Sequence, residues 1–461
     1  MGVNFIMNRD AAIWDYTFGQ AGYTTSRLTK KKLMRGQDND FRAVKCLDLF
    51  DGKPHCFDPS MLLSIKRYQR VSRLYGLRDT LWSKDNFCET MSASLRDFYV
   101  EREFVFPCWM LPRDYPILMK QVKNEYADRS FILKPTDRGE GSGIVIFDKA
   151  SELPRWKRSF PDLDEVVVQT YLPNPYLIDG YKWDMRTYVL VTSIHPLRAY
   201  MFRDGLVRFA GTPYDPKRKA GALTNVSLNK NKTKSAEDLT WPFPKVYRWL
   251  KRKGHDPDQL WDRIEAAVTM MLLSAEPGFV KKFQKLQRGY ACANCYQLLG
   301  VDVIVDDTVT PRVIEVNGEP SMQLSGQDGS QYDRTKKSMT HDLVQLVYSN
   351  DDSSLQLTAD LMELELDGVR LGFEGSAAGC RADVYDVCLS QRDVEYLLEM
   401  KREEGKMDGA RFDTLIDHLK TKFPGDVNEG SFRIHRVATA LSKFTSRIRF
   451  QNSIDDPEYV E

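Results

Sequence analysis

Between residues 130 and 317 the chain is cut into short segments suited to a sheet. SFILKP (130–135), GIVIF (143–147), EVVVQTYL (165–172), RTYVLVTSI (186–194) and RAYMFRDGLVRFA (198–210) are rich in β-branched and aromatic residues. Gly, Pro or Asp interrupts them, which is the pattern of strands separated by turns. QLLGVDVIVDD (297–307) and RVIEVN (312–317) follow, and the short polar link between them predicts a hairpin. One long segment, DQLWDRIEAAVTMMLLS (258–274), has apolar residues at helical spacing over most of its surface and predicts a buried helix. The expected class is therefore α+β.

Outside that span the signals are weaker. The first 125 residues mix short apolar pieces with basic clusters such as TKKKLMR (29–35), and FVFPCWMLPRDYPILMK (104–120) reads as a packed linker. After residue 350, SSLQLTADLMELELDG (353–368), SQRDVEYLLEMKREEGK (390–406) and ARFDTLIDHLKTKF (410–423) read as helices of an extension that braces the core or binds a partner. The expected units are 1–125, 126–195, 196–350 and 351–461. Net charge is +1, which argues against a general nucleic-acid binder. Eight cysteines scattered over 461 residues form no disulfide framework, so a reducing, cytoplasmic setting is expected. Cys292 and Cys295 form a lone CxxC, read as two buried thiols on one side of a helix. No apolar run approaches a membrane span, and no membrane insertion is expected.

The chemistry starts at FILKPTDRGEGSGIVIF. A strand delivers Lys134, and Gly139, Gly141 and Gly143 form a loop before the next strand. Glycines let backbone N–H groups approach phosphate oxygens while a lysine supplies charge. No GK[ST] opens a helix, so this is not a P-loop. Gln169, Thr170, Tyr171 and Leu172 end the next strand. Lys182, Asp184 and Arg186 then alternate, which puts them on one face of a strand. Arg203 and Arg208 flank an Asp-Gly step read as a turn, and Thr224, Asn225, Ser227 and Lys230 lie in a polar loop. Asp302, Glu315 and Asn317 come from the two strands of the late hairpin, and three oxygen donors there suit Mg²⁺ on a polyphosphate. Taken singly, each signal has a plain alternative. A Gly-rich hairpin is often only a turn, and alternating charges often form a solvated face.

The order of these elements is that of an ATP-grasp site. KPTDRGEGSGI, PYLIDGYKWDMRTYVLVTS, LTNVSLNKN, VIEVNGEPSM and the upstream FVFPCWMLPRDY resemble the tubulin tyrosine ligase-like family over about residues 80–345. The resemblance implies a nucleotide held between two α+β lobes, and the helices read beyond residue 350 add a mostly helical C-terminal extension. It implies ATP contacts from Lys84, Lys134, Gly139, Gly141, Gly143, Gln169 to Leu172, Lys182, Asp184, Thr224 and Asn225. It implies a metal site at Asp302, Glu315 and Asn317. Arg203, with Lys182 and Lys230, would serve catalysis, and Arg203, Ser227 and Lys230 would meet the incoming amino acid. Two positions depart from the family's glutamate-adding pattern: Val226 stands where an aromatic residue is usual, and Gly318 follows Asn317 where Ser or His is usual.

The implied reaction uses ATP and Mg²⁺ to join a free amino acid, glutamate first among candidates, to carboxylates of tubulin tails through an acyl phosphate. Such chemistry needs positioning and charge neutralisation rather than an enzyme nucleophile. An acidic acceptor calls for a basic surface, and Lys217, Arg218, Lys219, Arg248, Lys251, Arg252 and Lys253 cluster between residues 214 and 253. The expected setting is the cytoskeleton, including a cilium or flagellum. Glycine as donor, another protein as acceptor, and a nucleotide-binding scaffold without turnover are the alternatives.

Overall fold

The computed structural model describes residues 2–5, 11–27, 43–44, 70–97 except 75, 104–284 except 140, 195–196 and 230–234, and 295–348 except 328. Beyond 348 it describes 365–366, 369–373, 387–389, 403 and 412–414.

Helix α1 spans Ala11–Gln20 and α2 spans Lys84–Asp97. A four-stranded antiparallel sheet follows, made of β1 (Cys108–Leu111), β2 (Phe131–Pro135), β3 (Val145–Phe147) and β4 (Val166–Thr170) in the order β1-β4-β2-β3. Helix α3 (Tyr115–Asn124), with Pro at its first turn, packs Leu118 and Val122 against this sheet's core of Trp109, Phe131, Leu133, Val166 and Val168. The segment expected as a linker thus supplies a strand and a helix of this lobe, and the boundary expected at residue 125 falls inside it.

The larger sheet holds β5 (Tyr181–Ile194), β6 (Leu197–Phe209), β7 (Thr240–Pro242), β8 (Gln297–Val305) and β9 (Pro311–Asn317), in the order β7-β6-β5-β8-β9. Its two long strands pair with each other, so the boundary expected at 195 also falls within one sheet. One face is covered by α4 (Phe243–Arg252) and α5 (Pro257–Gln284), and the other by α1 and α6 (Gln331–Tyr348). Helix α5 buries Leu260, Ile264, Val268, Met271, Leu272 and Phe279, as its nearly all-round apolar pattern predicts. The expected β8–β9 hairpin is present, with Asp302 opposite Glu315.

Three local expectations change. The Asp204–Gly205 step is not a turn but lies inside β6. A Cβ at Gly205 would sit 2.6 Å from the carbonyl oxygen of Arg186, and Asp204 accepts the backbone N–H groups of Gly205 (2.6 Å) and Phe243 (3.0 Å). The step is a close approach of two strands, which explains its glycine. The cysteines also differ from expectation. Cys88 of α2 and Cys108 of β1 are disulfide-bonded, Cys295 is disulfide-bonded and in an extended bridge rather than a helix, and Cys292 lies outside the described residues. In the tail, the helix expected over 410–423 contains β10 (Phe412–Thr414), which pairs antiparallel with β6. Residues 365–366, at the end of the helix expected over 353–368, are also strand. Of the helix expected over 390–406, only helical Glu403 is described.

Candidate active site

A cleft of about 620 Å³ lies between the two sheets. Its apolar part is walled by Ile132, Ile144, Tyr171 and Leu223. Strand β4 ends there and carries Gln169, Thr170, Tyr171 and Leu172 along the wall, as the sequence predicts. An apolar slot of this kind suits a flat heteroaromatic ring.

Lys134 projects from β2 and is buried, donating to Gln169 Oε1 at 2.8 Å. Burial lowers its pKa to about 8, with Lys84 pushing the same way and Glu315 and Asp302 opposing. Lys182, at the start of β5, donates to the Tyr171 hydroxyl at 3.0 Å. Burial pulls its pKa to about 7 against Asp184, and Lys134 adds repulsion. The glycine loop after Lys134 turns back through Gly141 and Gly143, both at positive φ (79° and 74°). A Cβ at Gly141 would meet Leu228 at 2.5 Å and Asn225 at 2.9 Å, so the loop packs on the helical turn Val226–Asn229. Lys84, at the first turn of α2, donates to the Arg138 carbonyl at 2.5 Å and ties that helix to the loop. Gly139 and Gly141 line the cleft, whereas Gly143 does not.

The opposite wall carries the acids. Asp184 accepts from Arg208 (2.7 and 2.5 Å) and from Thr224 Oγ1 (2.7 Å). Asp302 is bound by Arg186 through both oxygens, one of these contacts at 2.9 Å, and by Arg208 at 2.8 Å. Burial would raise the Asp302 pKa, but the two arginines outweigh it and hold the carboxyl well below the carboxylate range. Burial and the charge of Asp302 push Glu315 up. Asn317 stands 3.5 Å from Asp302. Two crowded carboxylates, Asp302 buried and Glu315 half-buried, and a carboxamide form an all-oxygen donor set that fits a hard divalent cation, with phosphate and water completing its shell. Among the described residues no group of three His, Cys, Asp or Glu could hold a metal unaided.

Most of the sequence-predicted residues meet in this cleft, whereas Gly143, Arg186, Arg203 and Ser227 are outside its lining. Arg203 is outside the lining; it lies near Tyr247 of α4, whose phenol its charge lowers against a larger rise from burial. Arg208 occupies the cleft instead, five residues on and on the opposite side of the strand. Ser227 is exposed on the turn 226–229 and outside the lining. Lys230 lies outside the described residues. Trp82, Arg138 and Glu319 line the cleft without having been singled out. A Cβ on Gly318 would come within 2.6 Å of the Trp82 indole, so the glycine leaves room for that ring beside Asn317.

The basic residues form two groups. Lys217 and Arg218 are exposed on a loop, and nothing is described of the Lys219 side chain. Arg248, Lys251 and Arg252 lie on α4 away from its buried face of Val246, Tyr247 and Leu250, and Lys253 follows. Both groups flank the segment 173–180: Tyr214 donates to the Pro173 carbonyl (2.7 Å), and Tyr176 packs edge-on against Trp249.

Two sheets closing on a cleft, with buried Lys134 on the smaller sheet and Lys182 beside a carboxylate–carboxamide set on the larger, define an ATP-grasp-type fold. The profile of the tubulin-tyrosine ligase family matches residues 72–355, and the chain belongs to that family. It is 33% identical over 281 residues to a mouse protein named tubulin monoglutamylase TTLL4, covering 56% of this chain and 22% of that one. It is 30% identical over 274 residues to mouse tubulin polyglutamylase TTLL13, covering 56% and 33%. It is 29% identical over 298 residues to zebrafish (Danio rerio) tubulin polyglutamylase ttll6, covering 62% and 37%. The chain thus matches well under half the length of each relative.

Proposed function

We propose that this protein is an ATP- and Mg²⁺-dependent ligase that adds an amino acid, glutamate first among candidates, to side-chain carboxylates of tubulin tails. The observation that carries the reading is the convergence of Lys134 and Lys182 with Asp302, Glu315 and Asn317 on one cleft. The apolar slot takes adenine, and the lysines and the glycine loop take the phosphates. Asp302, Glu315 and Asn317 would hold Mg²⁺, which when bound supplies positive charge at the phosphate oxygens. In this reading the acceptor carboxylate attacks the γ-phosphorus of ATP and ADP leaves, giving an acyl phosphate. The incoming amine then attacks the acyl carbon, loses a proton and expels phosphate, forming an amide. Lys134, Lys182 and Arg208 offset the charge that builds on the transferring oxygens. The names of the relatives favour glutamate, whereas Val226 and Gly318 depart from the glutamate-adding pattern and make the donor and turnover itself the points to test.

The acceptor surface is assigned to Lys217, Arg218 and the basic side of α4, and the setting to the cytoplasmic cytoskeleton, including cilia or flagella. Among the described residues no helix is long and apolar enough to cross a membrane. The test incubates the protein with ATP, Mg²⁺, microtubules and isotopically labelled glutamate, glycine or tyrosine, and reads the tubulin tails by mass spectrometry. Label from glutamate alone supports the reading. Label from glycine alone reassigns the donor. ATP binding without incorporation of any label turns the reading toward another acceptor or a scaffold.

A further inference from the structure

The family profile ends at residue 355, yet two pieces of the later chain are built into the large sheet. Strand β10 pairs with β6 in the register Tyr200–Thr414, Met201–Asp413 and Phe202–Phe412. Glu403 enters beside it and is 4% exposed. Its Oε2 lies 2.6 Å from Arg198 Nε and accepts from Tyr200 (2.7 Å) and Thr192 (3.0 Å), while Oε1 accepts from Arg198 Nη2 (3.1 Å). Arg198 is itself 2% exposed, and Tyr200 1%.

The sequence within β5 and β6 creates the need for this partner. Val191 pairs with Ala199, but Ser193 pairs with Arg198, which leaves Thr192 as an extra residue in a bulge. The bulge turns the Thr192 hydroxyl onto Arg198 Nε at 2.8 Å. A guanidinium cannot shed its proton when buried, so it requires a nearby anion. Glu403 supplies one. A buried carboxylate has the same need in reverse, so the pair binds the two segments to each other. Beside it, β10 covers an edge of β6 that would otherwise present unpaired N–H and C=O groups.

We propose that Glu403 and β10 form an integral strap of the cleft-bearing sheet, docked in cis from outside the family-matched segment, rather than part of a free appendage that binds another protein. The inference holds whether or not the ligase reading does, because its readouts are stability and amide exchange. Glu403→Gln should lower the melting temperature by at least about 5 °C, since it leaves Arg198 buried without its anion. It should also speed hydrogen exchange of the Tyr200–Phe202 amides at least about tenfold. Asp413→Pro, which puts a ring into the middle of β10 where it lies along β6, should speed exchange at the same residues. Arg198→Met combined with Glu403→Met should recover most of the loss, because the unpaired charge is gone. If Glu403→Gln yields no folded protein, the double variant decides: wild-type-like melting and exchange support the strap, and failure to fold overturns it. Single variants with wild-type melting and exchange also overturn it, as does a double variant whose loss equals the sum of its singles.

Discussion

Buried cations waiting for an anion should take up protons when they find it. Lys134 and Lys182 have pKa values near 8 and 7 because burial strips their hydration, with smaller repulsion from Lys84 on Lys134 and from Lys134 on Lys182. At pH 8, about half of Lys134 and about nine-tenths of Lys182 are then neutral. A triphosphate placed against them favours the charged forms, so binding should draw in up to about 1.4 protons at pH 8 and only about 0.1 at pH 6. The assay is titration calorimetry of ATP into the protein at pH 6, 7 and 8, each in two buffers with different ionisation heats. Excess Mg²⁺ keeps the nucleotide fully ionised across the series. Uptake that fails to rise with pH, or net proton release at pH 8, would refute the placement of the phosphates on these two lysines. The same shifts fix a sign for the free protein. Between about pH 7 and 10.5 the unfolded chain binds more protons at these lysines than the folded one. Their contribution to stability therefore rises with pH through that window and is flat below it.

Three further outcomes follow from the same geometry. Glu315→Gln should cut ligation by at least about a thousandfold without lowering the melting temperature of the free protein, because the carboxylate it removes is held at a cost by burial and by Asp302; full activity in the variant would remove Glu315 from the metal set. Arg208→Met should reduce ligation by about a hundredfold or more, whereas Arg203→Ala should stay within a few-fold of wild type, as steady-state rates would show; the reverse order would return the substrate role to Arg203. Replacing Lys217 and Arg218 by Ala, or Lys251 and Arg252 by Ala, should weaken microtubule binding in co-sedimentation and flatten its salt dependence while leaving ATP affinity unchanged; a pair whose loss leaves binding unchanged at low salt is not part of the acceptor surface.

The strands were legible where a single physical signal dominated. The apolar runs 131–135, 166–170 and 297–305 are buried along their whole length, as their mostly apolar composition announces. The helix 257–284 is apolar nearly all round for the same reason. What composition concealed was membership. Cys108–Leu111 looked like linker because prolines flank it, yet four consecutive buried residues place it in the smaller sheet. The Cys88–Cys108 pair joins a helix to a strand, and nothing local to either cysteine marks the other as its neighbour. In the tail, Phe412–Thr414 is strand because an edge of β6 is there to receive it, a tertiary reason that a helical pattern in isolation cannot contain.

The site was legible up to the first break in strand register, and the breaks lie beside its charged residues. Lys182, Asp184 and Arg186 alternate along β5 before any irregularity, and all three point to the cleft side, as simple alternation predicts. Opposite Tyr188 the partner strand inserts extra residues, because Thr187 faces Gly205 while Val189 faces Met201. Arg203 lies in that insertion, and Arg208 lies beyond it, opposite Asp184. Parity alone says that residues 203 and 208 cannot share a face, but it cannot say which one meets the cleft. That choice belongs to the register, and the register depends on a glycine that lets β6 press against the Arg186 carbonyl. A third break follows Asp302, where Ile314 becomes the extra residue between Glu315 and Val313. It leaves Asp302 facing Glu315 and puts Ile314 into the cleft lining. Bulges re-aim side chains, and in this sheet they decide which of two arginines counters the acids and where the two candidate metal carboxylates meet. A sequence supplies the residues for such a cleft in order, but only the paired strands show which of them face each other.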